Sequence, residues 1–171
     1  MNQKEFLEQV LPFKDKVYRL AKRLLVSSDE AEDAIQELYF KLWKNKTKLE
    51  SYDNVEAYAM MMTKNYCLDQ LKSKRASNLT LVHSNYKDES SSLQNQVEVE
   101  DSTDIIKNMI DELPEKQRMI VQLRDIENYE YHEIAKVMDM EPTAIRVALS
   151  RARKTLRKKF IKQQNHGIIQ N

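Results

Sequence analysis

Apolar residues recur at helical spacing along most of this chain, and polar breaks cut the rhythm into separate passes. Val17, Leu20, Ala21 and Leu24 share one face of a helix that opens near Pro12, whose missing donor costs nothing in a first turn. Phe6 and Val10 precede it. Ser27 and Glu30 have the spacing of a capping box for the next helix. There Ala31, Ile35, Leu38 and Leu42 recur at alternating steps of four and three, which aligns them on a buried stripe. Residues 45–53 are polar and break the period. A third pass over residues 54–75 has Tyr58, Met61, Met62, Leu68 and Leu71 for an inner face and ends in Lys72, Lys74 and Arg75, cations that suit the negative end of a helix.

From residue 76 to 102 periodicity is lost and Ser, Asn, Gln, Asp and Glu dominate, including Glu89-Ser90-Ser91-Ser92. Such a segment buries too little to offset the entropy of ordering it, so the composition predicts a flexible acidic linker. Shorter helices follow at residues 103–112, 115–126, 131–138 and 143–161, with Pro114 at the start of the second. Only Asp139-Met140-Glu141-Pro142 separates the last two, the tight join of a helix-turn-helix. The expected fold is all-α: a three-helix domain in residues 1–75, a four-helix domain in residues 103–162, and a polar tail in residues 163–171.

Composition agrees. One Gly and three Pro in 171 residues, with 41% hydrophobic and 32% charged, leave too little turn-forming material for an all-β fold. A net charge of +1 argues against coating nucleic acid by bulk charge, yet the distribution is uneven. Between residues 142 and 162 stand Arg146, Arg151, Arg153, Lys154, Arg157, Lys158, Lys159 and Lys162 without one acid. Acids gather at Asp29, Glu30, Glu32, Asp33 and Glu37, and again at Asp88, Glu89, Glu98, Glu100, Asp101 and Asp104. The lone Cys67 cannot form an internal disulfide and reads as a small buried residue in a reducing cytoplasm. The first residues lack the apolar core of a signal peptide, and no apolar run approaches the about 18 residues of a membrane span, so no membrane insertion is expected.

The final helix carries the chemistry. Ile145, Leu149, Ala152, Leu156 and Phe160 form a stripe spaced to pack on Ile134, Ala135, Val137 and Met138. Displaced from it, Thr143, Arg146, Val147, Ser150 and Arg151 are candidates for base edges, with Arg153, Lys154 and Arg157 further along for phosphates. The plainer reading, solvated charges near a helix C-terminus, leaves that many like charges repelling one another unless an anion sits there. Enzyme motifs are poor: His132-Glu133 begins like a zinc-protease helix, but Lys136 stands in place of the second histidine, and the only glycine is Gly167. No catalytic residue, metal or cofactor is expected.

Leu113-Pro114-Glu115-Lys116-Gln117-Arg118, then Leu123-Arg124-Asp125-Ile126-Glu127, Tyr131-His132-Glu133-Ile134-Ala135, Ser150-Arg151-Ala152-Arg153-Lys154 and Leu156-Arg157 resemble the promoter-binding domain of extracytoplasmic-function (ECF) sigma factors, of the sigma-70 family. Ala31-Glu32-Asp33-Ala34-Ile35-Gln36-Glu37, with Phe40 and Trp43, resembles that family's polymerase-docking segment, and Asn65, Asp69, Leu71 and Lys72 its promoter-melting helix. The likeness covers most of residues 5–75 and 104–162.

The resemblance implies an alternative sigma factor of the bacterial cytoplasm, not an enzyme, with core RNA polymerase, promoter DNA and an anti-sigma factor as partners. Asp33, Gln36, Glu37 and Phe40 would dock on the clamp helices of the largest polymerase subunit; taken alone they read more readily as a solvated helix face. Lys46, Lys48, Tyr52, Asn54, Lys64, Asn65, Lys72 and Arg75 would hold the melted downstream element, and the final helix would read the upstream element. The acidic linker would thread through polymerase. Asn128 and Asp139 stand where the family usually has Gly, and both tolerate a left-handed backbone. Glu130 and Glu141 replace hydroxyl caps and should cap less well. Val147 and Ala148 stand where polar residues are frequent, which leaves the promoter sequence open. The rival reading is a dimeric helix-turn-helix regulator that binds duplex DNA without touching polymerase.

Overall fold

A computed structural model describes residues 1–83 and 102–168, and their regular elements are all helical. Helix α1 (Gln3–Val10) starts with a reciprocal box: Asn2 Oδ1 accepts the Glu5 N–H at 2.9 Å, and the Glu5 carboxylate accepts the Asn2 N–H at 2.8 Å. Pro12 lies in a 3₁₀ turn (Leu11–Phe13) that leads into α2 (Lys14–Leu25). Val17, Leu20, Ala21 and Leu24 are all buried there, as their spacing predicts. Helix α3 (Ser28–Lys44) begins with Ser27 Oγ accepting the Glu30 N–H at 3.3 Å, and buries Ala31, Ile35, Leu38 and Leu42.

Two features of this domain depart from the sequence pattern. The polar stretch contains a single turn of helix, α4 (Lys46–Leu49), pinned by the fully buried Leu49. Helix α5 (Val55–His83), capped by Asn54 Oδ1 on the Ala57 N–H at 2.8 Å, continues through residues 76–83, where composition predicts the linker. Polar residues do not stop a helix when neither Gly nor Pro is present to break it. The remainder of the expected linker, residues 84–101, lies outside the described residues.

The inner face of α5 also differs. Val55, Ala59, Met60, Thr63 and Cys67 are buried, whereas Tyr58, Met61, Met62, Leu68 and Leu71 are only half-buried. This helix packs on α2 and α3 and meets the C-terminal domain as well, so apolar residues are required on more than one side and no single stripe marks its core. Burial pushes the Cys67 thiol up to about 12, which fits the small apolar role expected of it.

The C-terminal domain comprises α6 (Ser102–Asp111), α7 (Glu115–Val121), a π-helical turn (Gln122–Ile126), α8 (Tyr131–Met138) and α9 (Pro142–Ile168). The π turn interrupts what the pattern predicts as one helix. Asn128 and Asp139 both adopt the left-handed backbone, at φ 59° and 51°, so the turns normally made by glycine are kept. Glu130 is helped by its neighbour: the Glu133 carboxylate accepts the Glu130 N–H at 2.8 Å. Ile120, Leu123, Ile134, Val137, Ile145, Leu149 and Ala152 form the core of the domain. The predicted α9 stripe ends at the half-buried Leu156, and Phe160 is exposed, because α9 runs on past the bundle and through the residues expected as the start of a polar tail. Helix α7 packs on α2, and α8 packs on α5, so the two domains meet face to face.

Candidate nucleic-acid interface

The core residues of α9 determine which side chains face outward. With Ile145, Leu149 and Ala152 turned inward against α7 and α8, Thr143, Arg146, Val147, Ser150, Arg151, Arg153, Lys154 and Arg157 are all exposed. At about 1.5 Å per residue they line a rod long enough to cross a major groove and reach flanking phosphates. Arg151, Thr143 and Val147 also border a cleft of about 800 Å³ whose opposite wall is Glu115, Lys116 and Gln117 at the start of α7.

Two of these arginines are held by groups the sequence pattern does not reveal. The Arg146 guanidinium lies 4.6 Å from the centre of the Tyr131 ring, which also takes Arg124 at 4.7 Å, so the ring restrains Arg146 before any DNA arrives. Arg153 is held by Asp125 of the π turn, Nε to Oδ2 at 3.2 Å, and that hydrogen bond raises its pKa. Among the described residues, none restrains Arg151, Lys154 or Arg157 in this way. Tyr131 opens α8, the first helix of the helix-turn-helix, and that position is the one hint of its role in the sequence.

On the N-terminal domain, Asp33, Gln36 and Phe40 are exposed, and Glu37 is half-exposed and paired with Lys41 at 3.2 Å. They lie along one side of α3, opposite its buried stripe. Phe40 is 61% exposed beside these acids.

The residues expected at the downstream element are more scattered. Lys48, Tyr52, Asn54, Asn65, Lys72 and Arg75 are exposed. Lys46 is half-buried with its ammonium 3.7 Å from the centre of the Trp43 ring, and the exposed Tyr52 stacks on the half-buried Tyr58 at 4.2 Å. Arg75 pairs with Glu115 of the other domain at 2.8 Å. Lys64 differs from the rest: it is 9% exposed, buried on α5, a helix that packs on α2, α3 and α8. Burial lowers its pKa, and the charge of Asp139, in the turn between α8 and α9, opposes that shift. Among the described residues no helix is long and apolar enough to cross a membrane.

A chain that joins a compact helical domain to a helix-turn-helix with a cationic second helix belongs among DNA-binding transcription proteins. Residues 10–77 match the family model for sigma-70 region 2 and residues 103–156 that for sigma-70 region 4, and the chain belongs to the ECF group of the sigma-70 family, whose members are transcription-initiation factors. It is 28% identical over 168 residues to the ECF RNA polymerase sigma-E factor of Escherichia coli (strain K12), covering 91% of this chain and 86% of that one. It is 24% identical over 170 residues to the ECF RNA polymerase sigma factor SigW of Bacillus subtilis (strain 168), covering 93% and 90%. The fold is similar to that of the sigma factor RpoE solved with the anti-sigma factor NepR from Bartonella quintana, with a TM-score of 0.71, 23% identity and coverage of 91% and 96%. It is also similar to CnrH solved with the cytosolic domain of CnrY, with a TM-score of 0.67, 18% identity and coverage of 94% and 90%.

Proposed function

We propose that this chain is an alternative sigma factor that binds core RNA polymerase through α3 and directs it to promoters whose upstream element is read by α9. The observation that carries this reading is the pairing in one chain of an exposed acidic and aromatic face on α3 with an acid-free cationic face on α9. The N-terminal domain, residues 1–75, docks polymerase and holds the melted downstream element through Lys46, Lys48, Tyr52, Asn54, Lys64, Asn65, Lys72 and Arg75. The C-terminal domain, residues 103–162, supplies Thr143, Arg146, Val147, Ser150, Arg151, Arg153, Lys154 and Arg157 to the upstream element. The protein works in the bacterial cytoplasm by binding, not catalysis. An anti-sigma factor controls it, as one is bound to the RpoE described above. A dimeric regulator independent of polymerase is not favoured, because the match to sigma-70 region 2 has no place in it.

Run-off transcription tests the reading: protein plus core polymerase should initiate at defined start sites in a promoter library, and neither should do so alone. Duplex binding without any affinity for core polymerase would refute it. Within the upstream site, Arg151→Ala is expected to relax recognition at one base position by about 1–3 kcal/mol, since a guanidinium bonds a guanine edge bidentately. Binding measured across single-base variants checks this, and equal weakening on every sequence would make Arg151 a phosphate contact.

A further inference from the structure

Val147 is out of keeping with its surroundings. It stands on the cationic face of α9, yet its side chain is apolar and 45% exposed. A lone exposed valine is ordinary on a protein surface. Here it has company: Ala144, Val147, Ala148 and Arg151 follow at steps of three, one and three, which brings them onto a single side of the helix. All four line the cleft that α9 makes with the start of α7, and Thr143 and Glu141 form its polar end. Arg146 and Arg153 lie outside it, engaged by Tyr131 and Asp125. This side of α9 is therefore apolar from Ala144 to Ala148 and cationic at Arg151.

A side chain without donors or acceptors cannot hydrogen-bond a base edge, so it reads apolar surface alone. In the major groove only thymine presents an apolar group, its C5 methyl; cytosine offers an amino donor there, and the purines offer N7 acceptors. Set against thymine, Val147 withdraws a methyl from water. Set against any other base, it covers a polar edge that loses its water and gains no partner. Both effects favour the same base.

We propose that Val147, flanked by Ala144 and Ala148, is a specificity-determining residue that selects a thymine of the upstream element by its C5 methyl, one or two base pairs from the base bonded by Arg151. Arg151 follows Val147 by four residues, about 6 Å along the helix at about 1.5 Å per residue, and stacked base pairs are about 3.4 Å apart. This assignment rests on reading α9 as the helix that meets the upstream element of a promoter.

The test uses holoenzyme, assembled from the full chain and core polymerase, and a labelled promoter found by run-off transcription. Each thymine of the upstream element, on either strand, is replaced in turn by uracil, which pairs identically and lacks only the methyl. At one thymine, within two base pairs of the position relaxed in Arg151→Ala, the exchange should weaken binding by about three- to fivefold, the effect of one buried methyl. Cytosine at that position should weaken it further, and 5-methylcytosine should recover part of the loss. Val147→Ser removes both methyls of the side chain, so the thymine-to-uracil ratio should fall to about one while the base preference at the Arg151 position and the melting temperature stay as they are. Val147→Thr keeps one methyl and should keep part of the ratio.

An upstream element with no uracil-sensitive thymine, or a sensitivity that survives Val147→Ser, would overturn the assignment of Val147 while leaving promoter-specific transcription in place. Failure of the holoenzyme to start transcription at any promoter of the library would instead strike the sigma-factor reading, and the role of Val147 with it.

Discussion

Replacing Phe40 and Asp33 together with alanine should weaken binding to core RNA polymerase by about 2–4 kcal/mol, roughly 30- to 1000-fold, without lowering the melting temperature. The side chains at positions 33, 36, 37 and 40 follow one another along a single side of α3, opposite the stripe that holds the helix in its domain. Truncating a ring that is 61% exposed removes almost no internal packing, so the folded state has little to lose. At an interface the same ring becomes a desolvated anchor, and the acids around it align a basic partner and speed encounter. Glu37 is already neutralised by Lys41, so Glu37→Gln should have a smaller effect than either alanine change. Titration of labelled core enzyme together with thermal melting separates the cases. Unchanged affinity would remove α3 from the docking surface; a loss of affinity matched by a fall in melting temperature would make Phe40 structural.

The legible parts of the sequence were those where one helix has one buried side. In α2, α3 and the first half of α9 the buried residues share one stripe, so apolar spacing named most of them, and the outward residues of α3 and α9 followed by subtraction. Helix α5 was not legible in this way, because it is covered from several directions and buries small residues such as Ala59, Thr63 and Cys67 while its larger Tyr58 and Met62 stay near the surface. The burial of Lys64 was also out of reach: nothing local marks this cation as covered, and α5 packs on α2, α3 and α8.

The π turn shows the same limit more sharply. Nothing local distinguishes residues 122–126 from an ordinary helix, and Arg19 and Glu127 lie 108 positions apart. As sequence they are two ordinary charges, and only the packing of α2 on α7 and the π turn brings them into an ion pair at 2.7 Å. Helix ends are hard to read for a different reason: polarity predicts a linker at residues 76–83 and a polar tail from residue 163, where the lack of proline, and of glycine before Gly167, lets the helix continue.

Leu149→Ala should destabilise the C-terminal domain by about 2–5 kcal/mol, the range for removing a fully buried leucine from a packed core. Leu149 is 1% exposed, between Ile145 and Ala152 on the inner side of α9. For a protein of this size that corresponds to a fall of roughly 4–20 °C in melting temperature. Its effect on DNA should differ in kind from that of Arg151→Ala on the opposite side of the same helix. A cavity beneath α9 reduces the fraction of molecules in which the rod is properly seated, so upstream-element binding should fall by the same factor on every sequence and recover on cooling toward the temperature of maximum stability. The base preference should not change, because the outward side chains are intact. Melting curves and duplex titrations at two temperatures measure both quantities. If Leu149→Ala altered which base is preferred while leaving the melting temperature unchanged, the assignment of inner and outer faces on α9 would be wrong, and the recognition surface would have to be sought elsewhere on the domain.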